Sequence, residues 1–143
     1  MKIGRRAVAT LAAAISIGAS AGDLPNSVLE YWNTVNFVQI MCDLKMVGAR
    51  QAAESGREIS DDDAPATCVR TGMEKIRTAF DRAVASVRKA SAKAALREHY
   101  IAASSALRGV MPGIDERVIT YRARTDSERR RADEAWERVK LEF

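Results

Sequence analysis

The chain has 143 residues, with 23 Lys and Arg against 19 Asp and Glu, a single His and two Cys, and carries a formal charge of +4. At 47% apolar and 29% charged residues it has the composition of an ordinary folded domain, which excludes a disordered segment, a collagen-like repeat and a polytopic membrane protein. Its excess of cations points at first to an anionic partner.

The first residues change that reading. Lys2, Arg5 and Arg6 precede an uncharged run of small and apolar residues from Ala7 to Ala19, and Ala19-Ser20-Ala21 offers the small side chains a signal peptidase requires. Residues 1–21 therefore read as a secretory signal of bacterial type, cleaved after Ala21, with residues 22–143 as one domain. The apolar run is too short for a membrane span, which needs roughly 20 residues, and no cysteine near the cleavage site offers a lipid anchor. General secretion is expected over the twin-arginine route, because Ala7-Val8-Ala9 follows Arg5-Arg6 where bulky apolar residues belong. Without the three signal cations, 20 basic residues face 19 acidic ones, and the argument for an anionic partner falls away. What remains is polarity: residues 22–68 hold 3 basic and 8 acidic side chains, and residues 69–143 hold 17 and 11. Attraction between the halves within one small domain is the expected consequence, and a dipolar surface that steers partners is the alternative.

The rest of the chain repeats apolar residues every three or four positions, has three prolines, and lacks alternating β-branched runs, so an all-α bundle of about four helices is expected. The first helix should open after Pro25 and end between Gly48 and Ser55. Val28, Trp32, Val35, Val38, Cys42, Met46 and Ala49 form one apolar stripe, while Leu29, Phe37, Ile40, Met41, Leu44 and Val47 occupy the rest of the cylinder. Such a helix is either the central, fully buried one or presents its second face to a partner. Asp63 before Pro65 reads as the N-cap of a second helix carrying Val69, Met73, Ile76, Phe80, Ala83 and Val87. The next stripe, Leu96, Tyr100, Ala103, Leu107 and Val110, is about half a turn out of phase, which requires a break near Lys89 to Ser91, with Ser91 as the new N-cap. Pro112-Gly113 should end the third helix and Asp115 cap the fourth, whose stripe is Val118, Tyr121, Thr125, Ala132, Trp136, Val139 and Phe143. Opposite charges four apart, Asp126 and Arg130, Arg129 and Asp133, Arg130 and Glu134, Glu134 and Arg138, suit a solvated helix. Thr125 to Glu128 also reads as a capping box that could kink it.

In an exported chain Cys42 and Cys68, the only cysteines, are expected to form one disulfide. Their separation is unlike the C-x-x-C of redox pairs. His99 is the only imidazole and the one candidate ligand contact, expected half-exposed on a helix face rich in alanine. No catalytic residue is assigned. No G-x-S-x-G surrounds a serine, and an enzyme would need an open pocket gathering His99 or Tyr100 with carboxylates. Neither C-x-x-C-H nor the paired Glu-x-x-His of di-iron bundles occurs, so no metal or other cofactor is expected. The arginines at 122, 124, 129, 130 and 131 are interleaved with acids and lack aromatic platforms, which argues against nucleic acid. The expected protein is thus periplasmic or secreted, with no integral membrane segment in the mature chain. It is read as a non-enzymatic interaction module, an adaptor, inhibitor or chaperone-like factor whose partner is another cell-envelope protein. The alternative is a carrier of a small ligand, haem or metal that uses His99.

Overall fold

The computed structural model describes residues 24–113 and 116–143, so the signal sequence and Asp115 lie outside the described residues. Four helices follow in order: α1 (Asn26–Glu54), α2 (Pro65–Ser86), α3 (Ala90–Arg108) and α4 (Val118–Lys140). The all-α bundle expected from periodicity is the observed architecture, and no strand occurs among the described residues. α1 runs along α2 and α3 along α4 as two helical hairpins, which meet through α2 against α3 and α1 against α3. No described helix is long and apolar enough to cross a membrane.

Boundaries depart from the sequence reading wherever a side chain found a better use than capping. Proline disfavours helical geometry in the residue before it, so Ala64, extended at ψ 131°, becomes the N-cap of α2. Asp63 instead accepts hydrogen bonds from Ser60 Oγ at 2.9 Å and Lys45 Nζ at 3.2 Å. The break between α2 and α3 comes slightly earlier than expected, at residues 87–89, with Lys89 as N-cap. Ser91 lies inside α3, its hydroxyl donating to Glu142 Oε2 at 2.6 Å. α3 stops at Arg108 rather than at Pro112, with Gly109 as its C-cap, and α4 begins after Arg117. α4 runs unbroken through the expected capping box: the Thr125 hydroxyl donates back to the carbonyls of Tyr121 and Arg122, both at 3.0 Å, which spends it inside the helix.

Cys42 and Cys68 form the expected disulfide, with Cα atoms 5.5 Å apart, fixing the first turn of α2 beside the middle of α1. Closer to the middle of α2, Gly72 lets that helix approach α1: a Cβ there would run into Val38 and reach Leu107 at 3.4 Å. Val28, Tyr31, Val35, Val38, Cys42 and Met46 of α1 join Ile76 and Ala83 of α2, Leu96, Ala103 and Leu107 of α3, and Trp136 and Val139 of α4 in one core. Val118, at the start of the α4 stripe, is exposed.

Candidate functional site

At the centre of the bundle every helix contributes an aromatic ring. Trp32 of α1 stacks on Trp136 of α4, centroids 4.3 Å apart and planes 4° from parallel, while Phe80 of α2 stacks on Tyr100 of α3 at 4.4 Å. His99 lies between these pairs, 5.2 Å from Trp136, 5.6 Å from Trp32 and 5.4 Å from Tyr31. It is not the half-exposed residue expected from its alanine-rich neighbourhood: its exposure is 0%. The small residues on α3 allow close helix packing, and that closeness is what encloses the ring.

His99 Nδ1 is 2.8 Å from the Tyr31 hydroxyl, and Nε2 has no polar partner. If Tyr31 donates to Nδ1, one hydrogen, on Nε2, is left unpaired. If Nδ1 carries the hydrogen, the Tyr31 O–H and the Nε2 lone pair are both orphaned. Counting orphans therefore assigns the hydrogen to Nε2, among aromatic rings whose π faces accept weak hydrogen bonds. Burial pulls the imidazole down from 6.5 to about 4 and pushes the Tyr31 phenol up, so both are neutral at pH 7. His99 lines neither the grooves beside α1 nor the groove of about 400 Å³ that Trp32 and Trp136 line with Leu24 and Leu29.

A second polar cluster holds the α3–α4 connection. Arg124 donates from Nε and Nη2 to both carboxylate oxygens of Glu116, at 2.9 and 2.7 Å, and from Nη1 and Nη2 to the carbonyls of Gly109 and Met111. The Tyr121 hydroxyl donates to the Val110 carbonyl at 2.9 Å. Arg124, together with the Gly113 N–H, holds the Glu116 carboxyl down to about 2. These bonds take up the carbonyls just beyond α3 and account for its early end. The expected ion pairs four apart along α4 are replaced by Arg124 with Glu128, Lys140 with Glu137, and cross-helix pairs of Arg129 with Asp43 and Arg138 with Glu98.

The third feature is the outer face of α1. At 100° per residue, the buried side chains of α1 centre on Cys42, and a second apolar stripe lies about half a turn away. That stripe is solvent-exposed: Phe37 60%, Ile40 59%, Leu44 61% and Val47 52%. Of the two readings open for this helix, the one with a free second face is the observed arrangement. Beside Phe37 a groove of about 760 Å³ runs between α1 and α2, with Thr71, Lys75, Thr78 and Arg82 on its far wall. Beside Leu44 and Gly48 a groove of about 530 Å³ is closed on its far side by Ile59 of the 55–64 loop. The α2 and loop residues carry no periodic signal toward α1 and were not legible as groove walls. Among the described residues, no group of His, Cys, Asp and Glu could hold a metal ion.

The fold and these features define a four-helix bundle with one disulfide, an aromatic cluster enclosing His99 and Tyr31, and an uncovered apolar face. Comparison with protein families, with curated proteins and with solved structures finds no match to the chain.

Proposed function

We propose that the chain is an exported, non-enzymatic interaction module that docks another protein in the cell envelope through the outer face of α1. The observation that carries this reading is the line of Phe37, Ile40, Leu44 and Val47, each more than half exposed and opposite the core face. Isolated exposed apolar residues are commonplace, but a contiguous stripe flanked by grooves marks an interaction surface on a soluble protein. Export is supported by the N-terminal sequence and by a disulfide, a bond that persists in oxidising compartments.

The test is recovery of a partner from envelope extract at native salt, by the wild-type protein and by Leu44→Asp. Leu44 is exposed, so the variant folds normally, and loss of the partner with unchanged helical circular dichroism is the expected result. Partner capture that is indifferent to the substitution overturns the assignment of the face. The carrier reading starts from the unpartnered Nε2 of His99, which would ligate only once its hydrogen had moved to Nδ1 and the bond with Tyr31 had reversed direction. It requires that added haem or copper raise the melting temperature of the wild type and not of His99→Gln; an equal response excludes it.

A further inference from the structure

We propose that, when no other envelope protein is bound, the occupant of the α1 face is a second copy of this chain, docked as an antiparallel pair of α1 helices, so that self-association and partner docking compete for one face. The proposal rests on the reading that this face is a docking site, and names what fills it. Asn33, Phe37, Ile40, Leu44, Val47 and Gln51 alternate steps of four and three, the period-3.5 seam of two helices packing at a shallow angle. The spacing is the same from either end, so the seam is complementary to its own reverse. Docked antiparallel, Ile40 lies opposite the partner's Leu44, Phe37 opposite the partner's Val47, and Asn33 opposite the partner's Gln51. The apolar rungs fall in the middle, with an amide pair at each end. No charged residue stands on these six positions; the next step of three at either end reaches the exposed Glu30 and Glu54, which the antiparallel register sets opposite each other beyond the amide rungs, so the seam ends there. Asp43, which flanks its centre and would approach its own symmetry copy, is already paired with Arg129.

Charge selects the antiparallel sense. The 55–64 loop carries Arg57 against Glu58, Asp61, Asp62 and Asp63, a net −3 that the Lys45–Asp63 pair reduces to −2, and lies beside the C-terminal half of the seam, on the same flank as α2. A parallel pair would bring the two acidic loops to the same end. An antiparallel pair separates them and sets each beside the partner's α2 around its Lys75 and Arg82, which with Glu74 give the groove next to Phe37 a net charge of +1. Gly48 leaves room on this flank, since a Cβ there would meet nothing within 4 Å. The four anchors of both copies together remove on the order of 500 Å² from water. A standard interface buries roughly 1,200 Å² or more, so the contacts between loop and α2 must supply the remainder, and the dimer is a weak one that forms with concentration.

Sedimentation equilibrium of the purified protein from about 1 µM to about 0.5 mM spans the affinities such an interface gives. The wild type should pass from monomer to dimer across this range, and Leu44→Asp should remain monomeric with wild-type helicity. The double variant Asn33→Lys with Gln51→Glu places opposite charges on both end rungs of an antiparallel pair and like charges on those of a parallel one. It should therefore lower the dissociation constant about tenfold at low salt. A wild type that stays monomeric throughout overturns the proposal. If that monomer still captures a different envelope protein and loses it on Leu44→Asp, the docking reading survives and the second copy is excluded. A dimer untouched by Leu44→Asp excludes the α1 face, and one weakened by the double variant excludes the antiparallel register.

Discussion

An imidazole at the centre of a helical bundle ties stability to pH. In the unfolded chain His99 takes up a proton near pH 6.5, whereas in the folded bundle it resists protonation until about pH 4. Between those values the unfolded state binds more protons, so the folded state loses stability as the pH falls. The contribution is fully present above 6.5 and gone near 4, and it amounts to about 3 kcal/mol. Urea denaturation at the two ends of that window measures it, and the His99→Gln variant should show a pH dependence smaller by about that amount. An unchanged pH dependence would mean that His99 is accessible to water in the folded state. Glu116 obeys the same rule with opposite chemistry at lower pH. Its carboxylate is held by Arg124, so its contribution is complete above the ordinary glutamate value of 4.5 and disappears as the pH falls through about 2. Removing that carboxylate by Glu116→Gln should lower the melting temperature at neutral pH and raise amide exchange at residues 109–113, while the α1–α2 hairpin keeps its protection. Exchange that rises evenly over the whole chain would show that Arg124 holds more than the connection.

At the scale of the helices, two glycines with the same helical context should respond to alanine in opposite directions. Gly72 lies where α2 meets α1, and a methyl group there overlaps Val38, so Gly72→Ala is expected to cost about 1–3 kcal/mol by overpacking. Gly48 faces open space, so Gly48→Ala should gain up to about 1 kcal/mol from helix propensity alone. Thermal denaturation of the two variants decides, and a neutral Gly72→Ala would mean that the helices separate at little cost. The same helices show what periodicity can reveal. Two opposed apolar stripes on α1 were visible because a period of 3.6 residues marks both faces of a helix, but periodicity does not say which face a neighbour covers. The helix ends were misplaced because Asp63 and Ser91 have the right chemistry for caps, and only the fold brings Lys45 and Glu142 within their reach. The enclosure of His99 was hidden for the same reason. Its cage consists of Trp32, Trp136 and Tyr31, and all of these lie far from it in sequence.

For the molecule as a whole, the opposed charges of its two halves do little to join them. Of the ion pairs among the described residues, only Arg129 with Asp43 links the acidic first half to the basic second half. The asymmetry therefore stays on the surface, and the halves are held together by the aromatic centre and the apolar core. Within the first half the tie is covalent. Cys42 lies midway along α1 and Cys68 in the first turn of α2, 26 positions apart, so the bond closes a ring containing the C-terminal half of α1 and the acidic loop. Outside the aromatic centre, that stretch of α1 buries only Cys42, Met46 and Ala52, and the loop residues 55–63 are all exposed. Apolar burial there is thin, so reducing the bond should be felt first in this segment. Closing a ring of this length is worth about 3–4 kcal/mol in the chain-entropy view. In a domain of this size such a loss lowers the melting temperature by roughly 10 °C or more. Thermal scans with and without dithiothreitol should show that drop, and amide exchange after reduction should rise at residues 43–64 while the α3–α4 hairpin keeps its protection. A melting temperature indifferent to reductant would show that the aromatic centre and core alone secure the α1–α2 hairpin.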